Sequence, residues 1–227
     1  INDPVEATDN VMMGMGLKFR FWRENFFYGQ ILVDDFKLSE FRAGNGWWGN
    51  KQAYQAGWKV FNVFKINGLH GQAEYNTARP FTFAYDHSMK NHGHYMHPLA
   101  HPLGANFREF IIRGQYVKKR WLFSIKTVIA DYGMDTTGFN SGQNIYQPYL
   151  QNRPEYGNSI GQGMKTRSLF AEFKAGFLIN PSWKWQAEAG IRKWNFENAV
   201  NNPGRLYFFI GVKSLLFNDR QDAFSYY

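Results

Sequence analysis

Alternation with a period of two runs through nearly every apolar stretch of this 227-residue chain. Between residues 11 and 21, Met13, Met15, Leu17 and Phe19 occupy every second position, and Lys18 is among the residues between them. Successive side chains of a β-strand point to opposite faces, so this segment would be a strand with one apolar face and one small or cationic face. Helical three-four spacing is not evident anywhere, so the pattern favours an all-β fold.

The alternation recurs in nine segments, most of them about ten residues long, whereas strands in soluble sheets usually have about five or six. About 9–11 tilted residues cross a bilayer as a strand. The nine predicted strands are 11–21, 26–37, 54–64, 69–78, 107–117, 120–131, 166–179, 183–196 and 205–217.

The connections between these segments alternate in length. Short connections are expected near 22–25, 65–68, 118–119 and 180–182, and long ones at 38–53, 79–106, 132–165 and 197–204. Transmembrane barrels have tight turns on the periplasmic side and long loops outside, with aromatic side chains at the strand ends. The sequence therefore predicts an antiparallel transmembrane β-barrel of the cell outer membrane. A soluble β-sandwich or a lipocalin-like barrel, which also alternates, is the alternative.

Nine is an odd strand count, and bacterial single-chain barrels have even counts. We therefore expect residues 1–227 to form one barrel domain that is N-terminally incomplete, with further strands before residue 1.

Composition excludes several kinds of site. With no cysteine, the chain has no disulfide, thiol nucleophile or zinc-thiolate centre. No run approaches the roughly 18 apolar residues of a membrane helix. The net charge is +8, but the longest basic run is Lys118–Arg120 and no nucleic-acid-binding signature is present. We expect no nucleic-acid partner.

Five of the six histidines fall in one predicted loop. Imidazoles suit zinc, copper or nickel, but their spacing matches no zinc signature, so we expect neither a metal nor another cofactor. Gly44–Gly49 matches G-x-G-x-x-G, but a strand follows it where a nucleotide site needs a helix. Aromatic and polar loop side chains could instead contact sugars. The candidate polysaccharide-binding residues are Trp47, Trp48, His92, His94, Tyr95, His97, His101, Tyr146, Tyr149 and Tyr156.

Charged residues on the polar side of the segments would face a wet interior, where basic and acidic groups can pair. The predicted lumen-lining charges are Lys18, Arg20, Asp34, Lys59, Glu74, Glu109, Arg113, Lys126, Glu172, Lys174, Lys184, Glu188, Arg192 and Lys213.

Several loop and strand-end motifs together resemble a known family. They are Phe27–Glu40, Gly46–Lys51, Ala73–Asn76 with Arg79-Pro80, His92–Tyr95, Pro98–Asn106, Glu155–Asn158 and Gly161–Gly163. In combination they resemble the C-terminal half of the capsule-assembly (Wzi-like) outer-membrane proteins, in particular the gliding-motility RemB-like branch. The resemblance covers residues from about Asp9 through Phe217. It implies a barrel of about eighteen strands and a role in surface polysaccharide or motility. It offers no catalytic motif.

The expected function is therefore a non-enzymatic outer-membrane barrel that binds or organises capsular or surface polysaccharide. Its expected partners are outer-membrane lipid and lipopolysaccharide, surface polysaccharide, and other outer-membrane or periplasmic proteins. Two alternatives remain: a structural subunit of a larger envelope complex for motility or secretion, and a diffusion porin. A lipid-active hydrolase would need a rim serine paired with histidine, and the adjacency of His87 and Ser88 is no evidence for one.

Overall fold

The computed structural model describes residues 11–87, 91–95 and 97–214. It contains eleven strands in the described part of the chain: β1 Met13–Phe21, β2 Asn25–Val33, β3 Gln52–Val60, β4 Leu69–Ala78, β5 Gly93–His94, β6 His97–Pro98, β7 Phe107–Lys118, β8 Trp121–Met134, β9 Met164–Asn180, β10 Trp185–Asn198 and β11 Gly204–Ser214. The helices are α1, Leu38–Ala43, and a 3-10 turn, Val63–Lys65. Within these residues, neither helix has the length and hydropathy needed to cross a membrane.

Nine of the strands form one antiparallel sheet in the order β1-β2-β3-β4-β7-β8-β9-β10-β11, and β5 and β6 form a separate hairpin. Each of the nine predicted segments contains a strand of this sheet, in the predicted order. Residues 34–37 and 61–64, predicted as strand, lie beyond the ends of β2 and β3, and residues 215–217 lie outside the described residues. Among the described residues β1 and β11 do not pair with each other, so the sheet is open and each of these strands has one unpaired edge.

Because each strand pairs with its sequence neighbour, the connections sort to two ends of the sheet. We call these the turn end (22–24, 61–68, 119–120 and 181–184) and the loop end (34–51, 79–106, 135–163 and 199–203). The prediction of a long connection at 197–204 is wrong. The strands continue into a tight hairpin, in which the Asn198 N–H donates to the Asn201 carbonyl at 2.9 Å.

Helix α1 and the strands β5 and β6 escaped prediction. Helix α1 buries no residue, so it has no apolar period to detect, and its Lys37 N-cap makes no side-chain capping bond. It ends at Gly44, whose φ of 65° suits glycine and whose N–H donates to the Phe41 carbonyl. Strands β5 and β6 have two residues each, too few for alternation.

The register assigns every second residue of the nine-stranded sheet to one common face. The apolar face carries Met15, Phe27, Ile125, Phe173 and Ile210, and these side chains are exposed, Ile125 by 50% and Ile210 by 87%. The opposite, polar face carries charged side chains that are largely buried in the middle of the sheet. Glu109 is 2% exposed there, and Lys126 and Lys174 are each 6% exposed. This is the reverse of a soluble sheet, which buries its apolar face.

The buried apolar cluster of the described residues lies at the loop end of the polar face. Ala78, Phe107 and Ala130 come from the strands, and Phe83, Leu103, Ala105 and Ile145 come from the loops. Loops 79–106 and 135–163 thus fold onto the polar face and cover its loop end.

Candidate functional site at the loop end

Asn106 ties the two longest loops together. Its side chain is fully buried, with Nδ2 donating to the carbonyls of Gly133 and Gln162 at 3.0 and 2.9 Å and Oδ1 accepting from the Gly161 N–H at 2.7 Å. Its φ of 58° is one that asparagine tolerates better than most residues. One side chain therefore fixes the start of β7, the end of β8 and the end of loop 135–163.

Loop 34–51 joins the same assembly through backbone contacts. Gly46 and Asn158 pair, because the Asn158 N–H and Nδ2 both donate to the Gly46 carbonyl, at 2.9 and 3.0 Å. A Cβ on Gly46 would come within 2.7 Å of the Asn158 nitrogen, and its φ is 71°, so glycine is required on both grounds. Nearby, the Trp48 N–H donates to the Glu155 carbonyl at 3.1 Å.

A buried lysine lies beneath this assembly. The Lys51 side chain is fully buried, and its Nζ donates to Asp35 Oδ2 at 2.8 Å and to the Ala84 carbonyl at 3.4 Å. Asp34 Oδ2 is 3.7 Å away, and the Tyr149 ring centroid is 4.5 Å away. The chain thus compensates the desolvated charge with two carboxylates, a carbonyl and an aromatic face.

Asp34 is the buried acidic residue beside Lys51. Burial raises the pKa of its carboxyl above the ordinary value, and the neighbouring Lys51 opposes that effect. Asp34 Oδ2 accepts the backbone N–H of Phe83 at 3.2 Å. Phe83 has a φ of 72°, which is an outlier for a bulky residue, so the carboxylate holds a strained backbone in place.

The two candidate tryptophans are occupied by protein contacts. The Arg153 guanidinium lies 3.8 Å from the centroid of the Trp48 ring, and Tyr149 packs against that ring at 4.7 Å between centroids. The Trp47 Nε1–H donates to Glu155 Oε1 at 3.0 Å. Hydrogen bonds from Arg153 and from the Trp47 indole lower the pKa of Glu155. Trp48 and Tyr149 are therefore half-buried, and their rings pack within the loop assembly.

His101 also belongs to the interior. It is 7% exposed, its ring stacks on Phe107 at 4.1 Å, and its Nδ1 accepts the Leu103 N–H at 3.2 Å. Nε2 therefore carries the proton and lies 3.0 Å from Glu109 Oε2. Burial removes His101 from the surface that a polysaccharide could reach.

The remaining candidates divide by exposure. Tyr95 is 84% exposed at the tip of the β5–β6 hairpin, its ring packs against His94 at 4.3 Å, and His97 is exposed beside it. Tyr156 is 49% exposed on loop 135–163.

Two other candidates are half-buried. The His92 ring stacks on Phe83. Burial raises the pKa of the Tyr146 hydroxyl. The exposed candidates that we call the loop-end surface are His94, Tyr95, His97 and Tyr156.

Twelve of the fourteen predicted lumen-lining charges lie on the polar face, as the strand register shows. Asp34 and Lys184 lie outside the strands, Asp34 in the loop assembly and Lys184 in the turn before β10. Several of the twelve pair: Arg192 with Glu172 at 2.5 Å, and Lys213 with Glu188 at 3.1 Å.

Glu74 and Glu109 share a hydrogen-bond network on the polar face. Asn76 Nδ2 donates to Glu74 at 2.9 Å and to Glu109 at 3.0 Å, and the Tyr28 hydroxyl donates to Glu74. The network runs across β2, β4 and β7 and reaches loop 79–106 through His101. It shows that the buried carboxylates are satisfied by the protein itself.

Sequence patterns missed Lys51, Asp35, Asn106, Arg153 and Glu155. A lone lysine or asparagine in a polar loop looks like a solvated residue, and its sequence neighbours do not reveal a distant partner. Four of the five lie in the motifs that carry the family resemblance: Asp35 in Phe27–Glu40, Lys51 in Gly46–Lys51, Asn106 in Pro98–Asn106 and Glu155 in Glu155–Asn158. The motifs assigned no role to these side chains.

No group of three or more histidine or acidic side chains is arranged to hold a metal ion in the part of the chain that the structure describes. No protein-family model matches the chain, and no curated protein and no solved structure matches it.

Proposed function

We propose that this chain is a membrane-inserted part of a β-barrel in the outer membrane. The single observation that supports the proposal best is the polarity of the sheet, in which the apolar face is exposed and the charged face is buried. Soluble monomers rarely expose a contiguous apolar patch larger than a few hundred Å², whereas this face extends over nine strands. Lipid tails are the surroundings in which such a face costs least.

The unpaired edges of β1 and β11 bear on the same proposal. A bilayer offers no water to hydrogen-bond a free strand edge, so open sheets do not occur in its hydrocarbon core. We propose that further strands flank β1 and β11 and close the barrel, with about eighteen strands in total.

The biochemical role that we propose is the non-enzymatic binding or organisation of surface polysaccharide, through the loop-end surface. Exposed Tyr95 and Tyr156 supply aromatic faces that can pack on sugars, and His94 and His97 supply hydrogen-bonding groups. The resemblance to capsule-assembly proteins supports this role and adds a link to gliding motility.

The test compares cells that carry the wild-type protein with cells that carry His94→Ala/Tyr95→Ala/His97→Ala. The expected result is a clear loss of cell-bound polysaccharide at equal protein abundance. Trp22→Ala is the matched control, because Trp22 is 81% exposed but lies at the turn end. Unchanged retention in the triple variant would contradict the role of the hairpin.

A second candidate is a structural subunit of a larger envelope complex. The edges of β1 and β11, which are unpaired within the described part of the chain, favour it, because an exposed edge is a template for pairing with another chain. Stoichiometric co-purification of another envelope protein, without affinity for any surface glycan, would favour this role over polysaccharide binding.

A diffusion pore is the least supported candidate. Loops 79–106 and 135–163 cover the loop end of the polar face with Phe83, Leu103 and Ile145. We therefore expect the protein to be silent in planar-bilayer conductance recordings.

A further inference from the structure

A cavity of about 510 Å³ opens on the polar face near the turn end, between β1, β2 and β3. Its lining includes Lys18, Phe26, Tyr28, Gln30 and Lys59. The Tyr28 ring lies against Gly57 on the neighbouring strand, where a Cβ would come within 2.1 Å of the ring. The Tyr28 ring is thus a wall of the cavity whose position requires glycine at residue 57. The hydrogen bond from the Tyr28 hydroxyl to Glu74 fixes the hydroxyl end of the ring.

Two cations, Lys18 and Lys59, line the cavity, and a third, Arg20, lies beside its Phe26 wall. The Lys18 ammonium and the Arg20 guanidinium each lie 5.6 Å from the centroid of the Phe26 ring. The Lys59 ammonium lies 5.1 Å from the centroid of the Tyr28 ring. All three cations thus lie over aromatic rings that line the cavity.

Three other cations on the polar face have acidic partners. Arg192, Lys174 and Lys213 all lie against Glu172 or Glu188. Across residues 11–87, 91–95 and 97–214, no ion pair includes Lys18, Arg20 or Lys59. The nearby Glu74 is already bonded to Tyr28, Gln72 and Asn76. The cavity therefore carries positive charge that the described protein does not neutralise.

We propose that this cavity, which is reached from the turn end because loops 79–106 and 135–163 cover the loop end, binds the carboxylate of a hexuronate residue, so that the polysaccharide handled by the barrel is an acidic one. This inference rests on the proposed function and narrows its ligand class. Clustered cations beside low-dielectric walls attract an anion more strongly than scattered surface charges do. The volume falls in the range of about 300–1,000 Å³ for small-molecule sites. The Gln30 amide, which also lines the cavity, can bond a sugar hydroxyl.

The test titrates the full-length protein in detergent micelles with a short oligogalacturonate, with a neutral maltooligosaccharide of equal length, and with inorganic phosphate. We expect binding of the oligogalacturonate that weakens as salt is raised, since the Debye length falls from about 10 Å at 0.1 M to about 3 Å at 1 M. Lys18→Gln/Lys59→Gln should weaken that binding at least about fivefold.

Two control variants separate charge at the cavity from net charge. Lys18→Arg/Lys59→Arg keeps both cations and should retain binding. Lys65→Gln/Lys119→Gln removes the same charge from two exposed turn-end residues outside the cavity, and should also retain binding.

The outcomes distinguish this inference from the function on which it rests. Equal affinity of the wild-type protein and Lys18→Gln/Lys59→Gln for the oligogalacturonate overturns the cavity assignment. If phosphate binds and the oligogalacturonate does not, the proposal that the ligand is a hexuronate is overturned. Equal binding of the neutral and acidic sugars overturns the acidic specificity but leaves polysaccharide binding intact. Binding of neither sugar counts against the proposed function itself.

Discussion

The ammonium of Lys51 lies 2.8 Å from the carboxylate of Asp35, and the lysine side chain is fully buried while the aspartate is 54% exposed. The pair thus connects the interior of the loop assembly with its surface. Asp34 on the other side of the ammonium has a fully buried side chain, so Lys51 is the cation that offsets its desolvation.

Replacing Lys51 should destabilise the loop end strongly. Lys51→Met leaves Asp34 buried without its cation, and removing one partner of a buried pair costs about 3–5 kcal/mol. Denaturant unfolding of the protein in micelles, followed by tryptophan fluorescence, measures the loss. Lys37→Met is the matched control. Lys37 pairs with Glu40 but is 57% exposed, so its loss should cost no more than about 1 kcal/mol. Equal costs for the two variants would contradict the buried-pair account.

Asp34 predicts a particular pH dependence. Its folded-state pKa is raised by burial above the unfolded value, so the protonated acid is the form that folding favours. Its contribution to stability is fully present below the unfolded pKa and is lost as pH rises through the folded pKa. Asp34→Asn, which mimics the protonated acid, should therefore gain stability relative to the wild type as pH rises from 4 to 8. The unfolding free energies of both proteins across that range provide the measurement. A gain that grows towards acid pH would have the opposite sign and would reject the assignment.

Asn106 should control the order of two loops. Asn106→Ala removes three hydrogen bonds. The Gly133 carbonyl keeps the Ser141 hydroxyl as a donor, whereas the Gln162 carbonyl and the Gly161 N–H lose this partner, at a cost of about 1–3 kcal/mol for each unsatisfied group. Amide hydrogen exchange should rise in 135–163 and at the start of β7. Asn144→Ala removes an exposed asparagine whose side chain accepts the Tyr146 N–H, and it should leave exchange at Gly161 unchanged. If the Gly161 amide stays protected from hydrogen exchange in Asn106→Ala, the order of the two loops does not depend on this side chain.

The strands could be predicted from the sequence because their signal is local. The alternation of Met13, Met15 and Leu17 is visible without knowledge of any partner, and pairing between neighbours in sequence then gives the sheet order. The same alternation assigned Lys126 and Glu172, which the register places opposite each other, to one face.

The loop assembly could not be predicted in this way, because its contacts join residues far apart in sequence. Trp47 meets Glu155 and Gly46 meets Asn158 across more than a hundred residues, and the alternation of the intervening strands does not specify either contact. Exposed tryptophans in a polar loop suggested sugar platforms. In the structure, the Trp48 ring instead packs against Arg153 and Tyr149, whereas Tyr95 is exposed.

The central claim is that the apolar face contacts lipid, and adjacent residues of β8 test it most directly. The chain has no native cysteine, so Ile125→Cys on the apolar face and Ser124→Cys on the polar face each give a single site for a nitroxide spin label. In reconstituted bilayers, oxygen, which concentrates in lipid, should relax the label at position 125, and a water-soluble nickel complex should not reach it. At position 124 oxygen should have much less effect. Access of the nickel complex to position 125 equal to that of a label at exposed Lys119 would show that this face lies in water.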